Sequence, residues 1–110
     1  MENQQPNNSV FLMGEITSPV ILKTARNKAK YCSFSIKTVH HYEVDGEEKT
    51  ADEYHNIRAW GPIAMTCKKK FKEGVQAKIK GRLRTVKYEE EGMPDKYYTA
   101  IHPENVALLN

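Results

Sequence analysis

The sequence predicts an all-β domain with one short helix, and three observations carry that prediction. Apolar residues recur at every second position through most of the chain, the period of strands with one buried face. A single stretch, opening at Gly61-Pro62, switches to helical spacing. Glycines 14 and 81 stand in mid-strand, where a small closed barrel needs bends or bulges to turn its corners. With 110 residues, 39% hydrophobic and 28% charged, the chain can build one core but not two, and its composition is globular rather than disordered.

Residues 1–8 are polar and read as a flexible leader without an export signal, leaving 9–110 as the one folded domain. Val10, Leu12, Gly14 and Ile16 alternate with Phe11, Met13 and Glu15, a first strand that Thr17-Ser18-Pro19 breaks. Val20 to Leu22 is a short apolar run, and Arg26-Asn27-Lys28 is a polar turn. A second strand runs from about Lys30 to Tyr42, with Cys32, Phe34, Ile36 and Thr38 on one face and Tyr31, Ser33, Ser35 and Lys37 on the other. Asp45-Gly46 is a turn signal inside an expected long, exposed acidic loop. A third strand follows over about Glu53 to Trp60.

Pro62 suits the first turn of a helix, where its missing N–H costs nothing. Ile63, Cys67 and Phe71 form its narrow apolar stripe, and Gly74 supplies the stop. Strand alternation resumes from Val75 to Tyr88, turns near Gly92-Met93-Pro94, and continues over about Lys96 to His102 before the closing apolar run Val106 to Leu109. Three strands, a helix and two long strands is the order of the OB-fold, a five-stranded Greek-key barrel with its helix between strands three and four. An SH3-like barrel lacks that helix. A ferredoxin-like fold needs a helix after its first strand, where this chain has only the Pro19–Lys30 segment.

Net charge is only +3, but its distribution is uneven. Lys68 to Lys87 holds nine basic residues against one acid, and Glu43 to Glu53 holds six acids against Lys49. Such segregation creates a local field that attracts a polyanion. The same lysines also suit the solvated faces of a helix and a strand, so charge alone does not decide.

Periodicity adds a second component. On the third strand Ile57 and Ala59 share one face, leaving Tyr54, Asn56, Arg58 and Trp60 on the other. Exposed aromatics interleaved with a guanidinium suit single-stranded nucleic acid, because every base has a face on which a ring can stack. On the fourth strand Lys78, Lys80, Arg82 and Arg84 lie on one face about 6–7 Å apart, close to the phosphate spacing of an extended strand. Lys87 and Tyr88 extend that surface, and Tyr42 ends the second strand. The bland alternative packs Tyr54, Trp60 and Tyr88 under loops or at a subunit contact.

Asn8, Val10, Leu12, Gly14, Ile16 and Pro19 resemble the first strand of bacterial single-stranded DNA-binding proteins. Glu53-Tyr54-His55-x-Ile57-x-Ala59-Trp60-Gly61 resembles their third strand, and Lys72-x-Gly74 with Ile79-x-Gly81-Arg82-Leu83-Arg84-Thr85 their fourth. Tyr97-Tyr98-Thr99 and Glu104-Asn105-Val106 continue a likeness that runs from about Asn8 to Leu109. It implies an OB barrel, usually a homotetramer although a dimer is possible, acting in replication, recombination or repair in the cytoplasm. It places stacking aromatics on Tyr42, Tyr54, Trp60 and Tyr88, three of them tyrosines where tryptophan is usual. It sets His55 near a subunit contact, against the alternative of a barrel histidine. The family also carries a flexible tail ending in an acidic tip that recruits partners. This chain ends at Leu108-Leu109-Asn110, so recruitment through such a tail is not expected of it.

No catalytic, cofactor or metal site is expected. His40, His41, His55 and His102 lack metal-ligand spacing, Cys32 and Cys67 share no CxxC and read as reduced thiols, and no nucleophile elbow or P-loop occurs. Glu89, Glu90 and Glu91 read as a solvated hairpin tip. No apolar run approaches the ~18 residues of a membrane span. The remaining alternatives are an accessory OB protein of the primosome, serving mainly as a docking module, and an RNA-binding OB domain, since stacking and charge do not by themselves separate RNA from DNA.

Overall fold

The computed structural model describes residues 8–88 and 91–109. The first seven residues of the expected leader, and Glu89 and Glu90 of the expected hairpin tip, lie outside them. Asn8, the last leader residue, is already tied to the barrel: its amide donates to the Leu83 carbonyl at 3.0 Å and accepts from the Leu83 N–H at 2.9 Å.

The described chain forms β1 (Val10–Ile16), β2 (Ile21–Thr24), β3 (Lys30–Val44), β4 (Glu47–Trp60), α1 (Pro62–Lys70), β5 (Gln76–Tyr88) and β6 (Lys96–Leu108). The strands run in the order β1-β5-β6-β4-β3-β2, and β1 also pairs with β3. That pairing closes β1, β5, β6, β4 and β3 into the five-stranded OB barrel expected from the element order. β2 is a short flap hairpinned onto the start of β3.

Period-two alternation delivers the core. Cys32, Phe34 and Ile36 of β3, Ile57 and Ala59 of β4, Ala77 and Ile79 of β5, and Ile16 of β1 all point inward and are buried. α1 plugs one end of the barrel through Ala64 and Cys67, and Phe71 just beyond it meets Phe34 edge-on with ring centroids 5.8 Å apart. Gly61 enters the helix at φ 63°, a conformation that suits glycine. Both thiols are free and buried, and their mutual hydrogen bond, with burial, pushes the Cys67 thiol above the usual range.

The acidic segment differs from expectation. Asp45 and Gly46 both have positive φ (52° and 80°), the requirement of a two-residue type I′ turn, whose twist matches that of the flanking strands. β3 and β4 therefore stay paired to the tip, Val44 opposite Glu47 and Glu43 opposite Glu48. The six acids lie on a long ribbon or its turn, not in a loop. β6 is likewise one continuous strand, because a register shift opposite Lys80/Gly81 absorbs Glu104 and lets pairing resume.

Gly14 and Gly81 are where the barrel turns. A Cβ on Gly14 would stand 2.0 Å from the Lys37 carbonyl oxygen, where β1 passes from β5 to β3. A Cβ on Gly81 would stand 2.2 Å from the His102 carbonyl oxygen, at the bulge. Both obstacles are backbone. Gly14→Ala and Gly81→Ala should each destabilise the fold by about 1–3 kcal/mol or more through overpacking. Exposed Thr85→Ala should change it far less; urea midpoints near wild type for the glycine variants would contradict the close approach.

Candidate nucleic-acid interface

The outer face of β3 and β4 follows from what the inner face must bury. With Phe34 opposite Ile57 and Cys32 opposite Ala59 in the core, the alternate pairs Tyr31–Trp60, Ser33–Arg58, Ser35–Asn56 and Lys37–Tyr54 face outward. Tyr31 and Trp60 lie against each other at 4.8 Å between centroids, and Trp60 keeps 36% of its surface exposed. Tyr54 is 64% exposed.

β4 runs parallel to β6 through Ile57 and Ile101, and this brings a third ring to the face. The Arg58 guanidinium carbon lies 4.6 Å from the Tyr31 ring centre, 5.9 Å from Trp60 and 6.0 Å from Tyr98. An arginine among three rings is held by cation–π attraction while its donors stay available to an anion. Its Nε is buried and has no hydrogen-bond partner among the described residues.

β5 adds charge to the same face. Arg82 stands opposite His102 and Arg84 opposite Ala100 on β6. Glu104 holds Arg82 by an ion pair of 3.5 Å at an exposed position. Burial, followed by the charges of Arg84, Arg58 and Arg82, lowers the His102 pKa below the ordinary histidine value. Arg58, Arg82, Arg84 and His102 are thus one electrostatic unit assembled from three strands.

The other nominated residues are dispersed. Lys78 and Lys80 are exposed and share a side of β5 with Arg82 by alternation. Their register neighbours, however, are Met13 and Phe11 of β1 and Ala107 and Asn105 of β6. Lys87 lies on the opposite side of β5 from Arg82 and Arg84, with an ion pair to Asp95 at 3.3 Å. Tyr42 pairs with Lys49, which puts it on the face of the ribbon opposite Tyr54; it stacks on His40 at 5.8 Å with planes 12° apart. Strand parity is the reason: outward positions are odd on β3 and even on β4. Tyr88 ends β5 opposite Lys96, and its side chain lies outside the described residues. His55 pairs with Ile36, which puts it on the core side of β4, half-buried, and its Nε2 is 2.9 Å from the Thr38 hydroxyl.

Three residues of the cluster were not nominated from sequence. Tyr31 had its signal, an outward position at the start of β3. Tyr98 and His102 reach the face only through the β4–β6 pairing, a long-range contact that periodicity does not carry. No group of three or more potential metal ligands occurs among the described residues, and no described helix is long and apolar enough to cross a membrane.

The chain is 28% identical over 92 residues to Single-stranded DNA-binding protein 1 of Chlorobaculum tepidum, covering 83% of this chain and 57% of that protein. It is 26% identical over 104 residues to the single-stranded DNA-binding protein of Aquifex aeolicus, covering 94% and 70%. This chain therefore spans little more than half the length of the first relative. Among solved structures, a Plasmodium falciparum SSB complex with ssDNA superposes with a TM-score of 0.80 at 20% identity, over 99% of this chain and 100% of that one. A deletion mutant of the single-stranded DNA binding protein from Thermus aquaticus gives 0.81 at 21%, over 94% and 51%. These two establish a shared fold. Residues 7–109, a span that contains every strand of the barrel and its helix, match the profile described as the single-strand binding protein family, and the chain belongs to that family.

Proposed function

We propose that this chain binds single-stranded DNA with little regard to sequence, by stacking bases on exposed rings and holding phosphates with arginine. The observation that carries the reading is Arg58 set among Tyr31, Trp60 and Tyr98 on an outward strand face, with Arg82 and Arg84 beside it. Trp60 and Tyr54 offer faces to bases, and the arginines, joined by Lys78 and Lys80 further along β5, offer charge to the backbone. It acts by binding rather than catalysis, needs no cofactor or metal, and serves replication, recombination or repair in the cytoplasm.

Tyr42, Lys87 and Tyr88 belong to the reading as more distant contacts, reached when a longer strand passes around the barrel. Self-association, as a homotetramer with a dimer as the alternative, fits the outward Phe11 and Met13, both more than half exposed on β1. An apolar pair of that kind beside Lys78 and Lys80 suits a contact between copies.

Titrating single-stranded oligomers while following Trp60 fluorescence should show quenching, with affinity falling as salt rises at about 0.7 logarithmic units per phosphate neutralised. Equal affinity for duplex DNA or RNA would sink the reading. Trp60→Ala should lower affinity about tenfold at every salt concentration, within the roughly 1–3 kcal/mol expected per stacked base. Arg82→Ala should instead flatten the salt dependence, and identical behaviour of the two variants would overturn this division of labour. With an oligomer of about 8 nucleotides, Tyr54→Ala should weaken binding and Tyr42→Ala should not; Tyr42→Ala should matter only for strands several times longer. Light scattering should give the mass of four chains, and a monomer would contradict the assembly.

A further inference from the structure

His102 is the residue of this face that the proposed function has not used, and its surroundings are unusual. It sits on β6 directly opposite Arg82 of β5, with Arg84 on the neighbouring register pair and Arg58 reaching across from β4. The charged groups around it are those three arginines and, on its own strand, Glu104, which Arg82 engages at 3.5 Å. Its Nε2 is buried with no hydrogen-bond partner among the described residues, and so is Nε of Arg58. Two buried, unpartnered nitrogens in one cluster are costly in a free protein. Each gains a partner if an anion enters and the exposed arginine side chains turn to clasp it.

We propose that His102, Arg58, Arg82 and Arg84 form one pocket for a phosphodiester group, and that the histidine enters the complex protonated, so that binding takes up a proton. The inference rests on the reading of single-stranded DNA as ligand. Its physical basis is the balance of charge around the imidazole. In the free protein burial and three guanidinium groups oppose a further positive charge, so the ring is neutral at pH 7. A bound phosphate offsets the arginines and accepts a hydrogen bond from imidazolium, which raises the pKa. Affinity therefore grows as pH falls through the value of the complex and levels off below the value of the free protein.

The test uses oligothymidylate, whose bases do not titrate in the range, at constant ionic strength between pH 8.0 and 5.5, read by Trp60 fluorescence. Binding should tighten roughly three- to tenfold across that range, the size expected of one linked proton. H102Q should lose this increment whatever its affinity at pH 8.0, since any part due to His40, His41 or His55 persists in both proteins. Equal pH dependence in wild type and H102Q would overturn the proposal. NMR of the His102 ring in the wild-type protein supplies a readout independent of the variant. Its titration midpoint should move up on adding oligothymidylate, and an unmoved midpoint with DNA bound would refute the proton uptake alone. Absence of binding at every pH would remove the function itself.

Discussion

Closure of the sheet through β1 is the constraint on which the rest of this structure depends. β1 pairs with β5 from Val10 to Glu15 and then with β3 at Glu15 and Ile16, so one seven-residue strand joins both ends of the sheet. Gly14 makes the transfer possible, because no Cβ fits beneath the Lys37 carbonyl. Once the barrel is closed, β4 must lie beside β6. Ile57 and Ala59 are then committed to the interior, and Arg58 has nowhere to go but outward among Tyr31, Trp60 and Tyr98. The positive face is a consequence of the core.

Clustered positive charge opposes folding, and three effects moderate it here. Ring faces attract the Arg58 guanidinium, each at about 0.5–2 kcal/mol depending on exposure. Glu104 offsets part of the charge of Arg82, weakly, since both groups are about half exposed. Burial and the neighbouring arginines lower the His102 pKa, which disfavours a further positive charge there. What is left is a net positive field, with two buried nitrogens that have no hydrogen-bond partner among the described residues.

The acidic ribbon is compatible with that field because of its length. Six residues of extended chain separate Arg58 from Asp52, about 20 Å, and the Glu43–Glu48 pair lies further still. At physiological ionic strength the screening length is about 8 Å, so the acids leave the arginine cluster largely unaffected. They act on whatever lies near the hairpin tip, beyond Tyr54.

Strand periodicity in the sequence was enough to define the element order, the barrel class, the helix plug, the buried set and the outward row Tyr54, Asn56, Arg58 and Trp60, since alternation is a local property of each strand. It also carried the closed-barrel role of Gly14 and Gly81. Turn geometry was only half legible: Asp45-Gly46 marked a turn, but two positive φ values were needed to show that pairing runs to the tip and that the acids form a ribbon. Register between strands was not legible at all. It decided that Tyr42 and Lys87 lie on faces turned away from Tyr54 and Arg82, and that Tyr98 and His102 join Arg58. A one-residue change in pairing reverses every side chain on a strand, and the pairing of β4 with β6 is a contact between segments some forty residues apart, so only the closed tertiary structure could assign them.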